Sequence, residues 1–298
     1  MLPLIIDTDP GKDDAVAILL ALAAWDRLDV RMLSTVGGNV AIRKTEANAR
    51  RLCEAAGRSD IAVHAGCPGP LLRRLTSVPE IHGEDGLAGA DLPPPQMTSA
   101  DGHAVPAIIE AVRRSPDPMT LACIAPLTNI ALALVMAPDI LTNIAEIVVM
   151  GGTFGRGNIT PYASFNLYSD PHAASIVFGC GSPVAMIGLE ITRQTMPSPD
   201  WCARLKATGT PSARVVAGLW SDPTAYMNDA CVIAYLLQPE LFTAEWRQVR
   251  IELRDEERIG ATIPVNNGGD RIKVINAIDV AGFFDLLLRL LSRPSGRR

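Results

Sequence analysis

Short apolar segments alternate with helix-forming segments along this chain, and the alternation limits the architectures that it can adopt. Residues 4–6 predict a buried strand, and residues 13–25 predict the helix that follows it. The same order returns with a strand at 30–36 and a helix at 45–56. Repeated strand–helix units favour parallel strands joined by crossover helices. We therefore predict an α/β fold, a doubly wound and mostly parallel sheet with helices on both faces, as a single domain over residues 1–298.

The pattern continues through the middle of the chain, where it predicts further strands and helices. No Pro/Gly/Ser-rich linker and no change in composition marks a second domain. The range 197–229 has no regular pattern, and we expect it to be irregular. The further strands are predicted at 60–65, 119–124, 146–150 and 184–187, and the further helices at 127–136 and 173–178.

Polar segments stand directly after several of these predicted strands. The carboxyl ends of parallel strands meet at one edge of a sheet, where α/β proteins bind their ligands. We therefore expect the polar segments to converge on one crevice. They are residues 7–14, 37–39, 124–129 and 151–170.

The overall composition excludes several classes of partner. The net charge of -5 means that a nucleic acid would meet like charge, so we expect no nucleic-acid partner. The longest apolar run, residues 15–25, is about half of the ~20 residues that span a bilayer, so we expect no membrane segment. The amino terminus lacks the charged start and cleavage site of a signal peptide, which predicts a cytoplasmic protein.

The loop after the first predicted strand, DTDPGKDD, is strongly acidic. Crowded carboxylates repel one another, which is costly in a partly buried cleft unless a cation neutralises them. Oxygen ligands select a hard ion such as calcium or magnesium, and the absence of nearby His or Cys argues against zinc. The acidic residues are Asp7, Asp9, Asp13 and Asp14, opposed only by Lys12.

The acidic loop also has features of a helix start and of a phosphotransferase loop. Aspartates at the start of a helix can satisfy its free amides, so one or two of them need no metal, and this alternative stays open. The DxDxT loop of aspartate-nucleophile phosphotransferases begins in the same way, but Pro10-Gly11 then replaces the residues that it requires. A serine nucleophile is disfavoured because no GxSxG motif is present.

The segment DTDPGKDDAVAILLA resembles the amino-terminal signature of the inosine-uridine nucleoside hydrolase family. Further blocks of that family follow in the same order: GGN at 37–39, IHGEDGL, IAPLTNIA, GNITPYASFN at 157–166, and MNDA. The resemblance extends from about residue 4 to at least residue 235. It implies the nucleoside hydrolase fold and a calcium-dependent N-ribohydrolase of nucleoside salvage, which uses water to cleave the bond between a ribose and its base.

The resemblance also implies the residues that hold the metal and activate the water. Calcium would be bound by Asp9, Asp14 and Asp229 together with the main-chain carbonyl of Ile124. Asp9 would also serve as the general base for the attacking water. The remaining matched positions would bind the substrate: Asp13 and Asn39 on the 2′ side of the ribose, Asn158 and Ser164 at its 5′ end, and Asn166 and Asp229 elsewhere on the sugar.

Two positions depart from the family pattern. Ser164 stands where relatives usually carry a Glu that holds the 5′-hydroxyl, so we expect weaker selection at the 5′ position. Asn228 stands where relatives commonly carry a His that serves the leaving base, and an amide cannot deliver a proton. His82 is the only His within the matched blocks, and we expect it to supply the proton instead.

These departures leave alternatives open. The chain could be a non-catalytic binder of nucleosides or ribose, or an N-ribohydrolase for a 5′-modified or otherwise unusual riboside. Trp220 and Tyr226 could stack on a base or pack in the core. In either case we expect a small-molecule nucleoside as ligand and, as in relatives, a homodimer or homotetramer.

Overall fold

A single mixed sheet forms the centre of the molecule. The structure, a computed structural model, describes residues 1–88, 90–220 and 225–294. Within these ranges it contains nine strands. They are β1 (Leu2–Thr8), β2 (Leu28–Thr35), β3 (Ala62–Ala65), β4 (Met119–Cys123), β5 (Ile144–Met150), β6 (Val184–Ile187), β7 (Phe242–Ile251), β8 (Thr262–Pro264) and β9 (Asp270–Ile278).

The strand order is β3-β2-β1-β4-β5-β6-β9-β7-β8. Every pairing from β3 to β9 is parallel, and only β7 runs antiparallel to its neighbours. The chain leaves β1 towards β2 on one side and returns to β4 on the other, so the order reverses between β1 and β4. A crevice forms outside the carboxyl ends of strands at such a reversal, because the connecting loops diverge there.

Helices cover both faces of the sheet, which confirms the predicted fold class. Side chains alternate along β1, so Leu4 and Ile6 belong to one hydrophobic core and Ile5 to the other. The described helices are α1 (Lys12–Ala23), α2 (Ile42–Ala55), α3 (Pro79–His82), α4 (Ala104–Arg114), α5 (Thr128–Met136), α6 (Phe165–Ser169), α7 (Pro171–Phe178), α8 (Leu189–Thr192), α9 (Pro199–Thr208), α10 (Pro211–Leu219), α11 (Ala230–Leu237) and α12 (Val280–Leu291), with 3-10 turns at Pro138–Asn143 and Pro239–Leu241.

Helix α1, which follows the acidic loop, is buried over most of its length. All of its residues from Ala15 to Leu22 are buried, which explains its nearly continuous apolar sequence. Its closest neighbours include α11, α2 and α12. No helix within the described ranges is both long and apolar enough to cross a membrane.

The prediction of an irregular segment at 197–229 was wrong for most of that range. Two helices occupy it, α9 and α10, and each begins with a hydroxyl N-cap followed by proline. Ser198 accepts a hydrogen bond from the Trp201 amide, and Thr210 accepts one from the Ala213 amide. The helix signal therefore lay in Ser-Pro and Thr-Pro caps rather than in apolar periodicity. Residues 221–224 of the range lie outside the described residues.

The carboxyl-terminal strands were not predicted. The long strand β7 pairs with β9 and β8 and extends the sheet beyond β6. Most of its residues are exposed or half-exposed and many are polar. It therefore lacks the apolar run that marks the central strands.

Candidate active site

A cleft opens beyond the carboxyl ends of β1, β4 and β5. It encloses about 740 Å³, including the part that is open to solvent. Segments that are far apart in sequence line it, as the strand-end pattern predicted. Of the residues proposed for the site from sequence, those on its walls are Asp13, Asn39, His82, Ile124, Asn158, Ser164, Asn166, Asn228 and Asp229.

Four carboxylates meet at this cleft and are called the acidic floor: Asp13 and Asp229 line the cleft, whereas Asp9 and Asp14 are buried beside them and do not reach its surface. Asp9, Asp14 and Asp229 are almost completely buried, whereas the Asp13 side chain is 13% exposed. One oxygen from each of Asp13, Asp14 and Asp229 lies within 4.8 Å of the others. Burial raises the pKa values of Asp9, Asp14 and Asp229, and repulsion between neighbouring carboxylates raises them further.

The Asp14 carboxylate is held by donors on both oxygens. Its Oδ1 accepts hydrogen bonds from the Thr8 hydroxyl (2.6 Å) and the Asp9 amide (3.1 Å). Its Oδ2 accepts from the Gly11 amide (3.0 Å) and from Asn39 Nδ2 (3.0 Å). The bond from the Gly11 amide caps the start of α1. The helix-capping interpretation of the acidic loop therefore applies to one of the bonds of Asp14.

Asp9 is held by the loop after β2. Its Oδ2 accepts a 2.6 Å hydrogen bond from the Asn39 amide, and Asn39 Nδ2 donates to its main-chain carbonyl. A methyl group on Gly38 would lie 2.0 Å from Asp9 Oδ2, so only glycine permits this approach. The other oxygen, Oδ1, is buried with no hydrogen-bond partner among the described residues. A bound ion or water is one way in which such a buried oxygen is satisfied, and Asp7 Oδ2 is likewise without a partner among the described residues.

These residues fit a hard divalent cation. The donors are carboxylate oxygens, and the unpartnered Asp9 Oδ1 adds one that faces no protein donor. The tight group contains Asp13 rather than Asp9 beside Asp14 and Asp229. The sequence-based ligand set of Asp9, Asp14, Asp229 and the Ile124 carbonyl therefore stays a prediction.

Asp7, the remaining aspartate of the acidic loop, has a different environment. Burial raises its pKa to about 7, although hydrogen bonds from Asn129 and Ser34 oppose the shift. Asn129 also donates to the Thr35 carbonyl and accepts from the Cys67 amide. Asp7 therefore joins β1 to β2 and α5 behind the cleft, and it does not line the cleft.

The asparagines predicted to bind the sugar, Asn158 and Asn166, also line the cleft. Asn166 Nδ2 donates to the carbonyls of Ile124 and Met150, both at 3.1 Å. Asn158 Oδ1 accepts a 2.8 Å bond from the Phe165 amide, which leaves its amino group free for a ligand. The bond to Met150 and the bond from Phe165 hold the loop between β5 and α6, and the bond to Ile124 joins α6 to the segment after β4.

His82 and Asn228 meet the acidic floor from two sides. His82 Nδ1 accepts a 3.1 Å hydrogen bond from the Lys12 amide and lies 4.0 Å from Asp13 Oδ1. This bond places the proton of a neutral His82 on Nε2. Asn228 Nδ2 donates a 2.8 Å bond to Asp13 Oδ2. Asp13 therefore lies between two residues that the sequence linked to the leaving base.

Comparisons with known proteins bear on this cleft. The sequence profile of the family described as inosine-uridine preferring nucleoside hydrolase matches residues 4–285. This chain belongs to that family. A relative from Citrobacter koseri, named pyrimidine-specific ribonucleoside hydrolase RihA, is 40% identical over 98% of each chain. The prediction of a nucleoside hydrolase is confirmed.

Solved structures of other nucleoside hydrolases share the fold. A plant nucleoside hydrolase, the PpNRh1 enzyme, is 30% identical and superposes with a TM-score of 0.92, covering 98% of this chain and 99% of its own. A purine-preferring ribonucleoside hydrolase from Gardnerella vaginalis is 27% identical, with a TM-score of 0.90 and coverage of 97% and 98%. The relative from Citrobacter koseri is named for pyrimidines and the one from Gardnerella vaginalis for purines, although both are named ribonucleoside hydrolases.

The structure of this nucleoside hydrolase gives Ser164 a local role. The side chain is 1% exposed, and its oxygen accepts a 2.7 Å hydrogen bond from the Gly152 amide. Ser164 therefore ties the loop after β5 to the start of α6. A longer acidic side chain at this position would have to give up that bond.

The cleft has an apolar wall that the sequence did not identify as a group. Trp220, suggested for stacking, is 3% exposed and donates through Nε1 to the Ala225 carbonyl, so it belongs mostly to the core. Tyr226 is half-buried and remains available. Ile81 precedes His82 and Phe165 lies between Ser164 and Asn166, inside the matched blocks. This neighbourhood is the one sequence signal that pointed to them. The wall consists of Val78, Ile81, Ile159, Phe165, Trp220, Ala225 and Tyr226.

Two residues outside the cleft hold the loop that carries Asn158. Glu190 Oε1 accepts hydrogen bonds from the amides of Phe154 (2.8 Å) and Gly155 (2.9 Å). The Arg193 guanidinium donates to the Gly157 carbonyl at 2.8 Å. No sequence pattern marked them, because both act on backbone groups of a loop more than 30 residues earlier.

We predict that Asp229→Asn melts at or slightly above the wild-type temperature in chelator, and below the wild-type temperature when calcium is added. A raised pKa means that folding disfavours the ionised carboxylate, so the neutral amide should not lower, and should slightly raise, the melting temperature in chelator. With calcium at 100 times its Kd, the wild type should gain about 2.7 kcal/mol, or roughly 5 °C, and the variant much less. Differential scanning fluorimetry measures both, with the exposed Asp139→Asn as control. Equal melting curves with and without calcium would contradict the metal site.

Proposed function

We propose that this protein hydrolyses the N-glycosidic bond of ribonucleosides and releases free base and ribose. The observation that carries the proposal is a cleft that has both the acidic floor and a group of apolar side chains in its lining. The bond breaks through a transition state with positive charge on the sugar, which nearby carboxylates stabilise. The apolar wall suits the flat face of a base.

Calcium is the cation that we propose for the floor, because its ligands would all be oxygens and its coordination is flexible. When bound, it would lower the pKa of a water molecule and hold ribose hydroxyls. The side chains of Asp9, Asp14 and Asp229 and the Ile124 carbonyl would hold it. Asn166 already donates to that carbonyl, and a carbonyl oxygen has a second lone pair for a cation.

Asp9 is the proposed general base. Its Oδ2 is engaged by the Asn39 amide, so Oδ1 is the oxygen free to accept a proton from water. Asp13, Asn39 and Asn166 would bind the ribose hydroxyls, with Asp229 beside them. Asn158 would bind the 5′ end through its free amino group.

Pyrimidine ribonucleosides are the substrates that we propose first, because the relative from Citrobacter koseri at 40% identity is named pyrimidine-specific. A cytoplasmic location and a homodimer or homotetramer stay predictions from the sequence. The alternatives of a non-catalytic binder and of a 5′-modified riboside as substrate are separated by the measurements below.

Ribose release from uridine, cytidine, inosine and adenosine, measured by a reducing-sugar assay, tests the proposal. Asp9→Asn should lower kcat by at least about 10²–10⁴-fold, since it removes the base and one anionic ligand together. A variant that keeps more than about a tenth of the wild-type rate would show that another group activates water. Nucleoside binding by the wild type without ribose release would instead favour the non-catalytic binder.

We propose that His82 serves the leaving base as a hydrogen-bond donor through Nε2. Delivering a proton would require protonation at Nδ1, and that nitrogen already accepts from the Lys12 amide. His82→Ala should lower kcat/KM for uridine about 10- to 100-fold more than for p-nitrophenyl riboside, whose leaving group needs no donor. Similar losses on the two substrates would mean that His82 positions the sugar or the start of α1.

Selection at the 5′ position should be weak. The Ser164 oxygen is engaged by Gly152, so only Asn158 is proposed to meet a 5′-hydroxyl, and one neutral hydrogen bond is worth about tenfold or less. The ratio of kcat/KM for uridine over 5′-deoxyuridine should therefore be about ten or below and should approach one in Asn158→Ala. A wild-type ratio of about 10³ or more would show that another residue was built to bind that hydroxyl.

A further inference from the structure

A hydrogen bond between Asn228 and Asp13 joins two parts of the chain that are far apart in sequence, at the exposed side of the acidic floor. Asn228 Nδ2 donates to Asp13 Oδ2 at 2.8 Å across 215 residues of sequence. Asn228 stands just before α11, and Asp13 lies in the first turn of α1. These two helices pack closely against each other, and this packing holds Asn228 and Asp13 near each other.

Asp13 differs from the other carboxylates of the floor. Asp14 accepts four hydrogen bonds, and Asp9 is held by the Asn39 amide. Among the described residues, the bond from Asn228 is the one hydrogen bond that the Asp13 carboxylate receives. Asp13 is also the most exposed of the four, with 13% of its side chain accessible. Its direction in the cleft therefore depends on Asn228.

We propose that Asn228 is a positioning residue that aims the Asp13 carboxylate at the 2′-hydroxyl of the ribose and so selects ribonucleosides over 2′-deoxyribonucleosides. The proposal rests on the proposed function. With Oδ2 engaged by Asn228, Oδ1 is the acceptor that remains for a substrate hydroxyl. A hydrogen bond between a hydroxyl and a well-aimed carboxylate is among the stronger ones in proteins.

This role differs from that of a group that helps the base to leave. One of the two N–H groups of Asn228 Nδ2 donates to the Asp13 carboxylate, and an amide cannot deliver a proton to a departing base. Its effect should therefore follow the sugar and not the leaving group. His82, in contrast, should show the dependence on the leaving group.

The test uses Asn228→Leu, which removes the donor at similar volume, and Asn228→Asp, which keeps the shape but places a second carboxylate against Asp13. Both should lower kcat/KM for uridine about 10- to 100-fold, and the value for 2′-deoxyuridine less than about threefold. The losses on uridine and on p-nitrophenyl riboside should agree within about threefold, because both carry the 2′-hydroxyl. Where 2′-deoxyuridine is turned over too slowly, its inhibition constant against uridine replaces kcat/KM.

A matched control is Asn158→Leu, which makes the same substitution in the same cleft at a residue bonded to Phe165 rather than to Asp13. It should leave the ratio of uridine to 2′-deoxyuridine unchanged. A double-mutant cycle adds a second measurement. In the Asp13→Asn background, Asn228→Leu should change that ratio by less than about twofold, because the carboxylate that it aims is gone.

Three results would overturn the proposal. Equal losses on uridine and 2′-deoxyuridine, especially with a lowered melting temperature, would show a structural role only. A loss on uridine at least about tenfold larger than on p-nitrophenyl riboside would assign Asn228 to the leaving base. Wild-type protein that releases ribose from no nucleoside would refute the proposed function itself, which separates that failure from the other two.

Discussion

Repulsion among buried carboxylates is the constraint on which the site depends. Burial and mutual charge raise the pKa values of Asp9, Asp14 and Asp229, so the folded chain keeps them together only at a cost. The surrounding loops offset part of that cost with donors from Thr8 and Asn39. A cation would neutralise the remainder, and the geometry therefore couples ligand binding to the stability of the fold.

The position of the cleft follows from the order of the strands. The reversal between β1 and β4 separates the acidic loop, which follows β1, from the segment that follows β4. The loop after β2 then reaches Asp9 because Gly38 has no side chain to prevent it. The fold thus brings an acidic floor that fits a cation and a group of apolar side chains to one cavity. That combination suits a substrate with a polar sugar and a flat base.

Two positions that the sequence singled out as departures from the family pattern, Ser164 and Asn228, bond within the protein. Ser164 ties two loop segments together through Gly152, and Asn228 holds Asp13. Each residue bonds to another part of the protein in place of a contact that the resemblance assigned to the substrate. In the proposed function, recognition of the sugar then depends on Asn158, which the Phe165 amide holds, and on Asp13, which Asn228 holds.

The sequence by itself determined the fold class, the family and most of the polar residues that line the cleft, because apolar periodicity and ordered motifs are local signals. It predicted the central strands from β1 to β6 and the metal-binding character of the acidic loop. It missed α9 and α10, whose signal lay in caps, and β7 to β9, whose exposed faces are polar. Only the tertiary structure decided that Asp7 lies behind the site, that His82 Nδ1 is occupied and that Asn228 bonds to Asp13. The physical reason is that a hydrogen bond depends on distance and direction between side chains, and residues 215 positions apart carry no local trace of it.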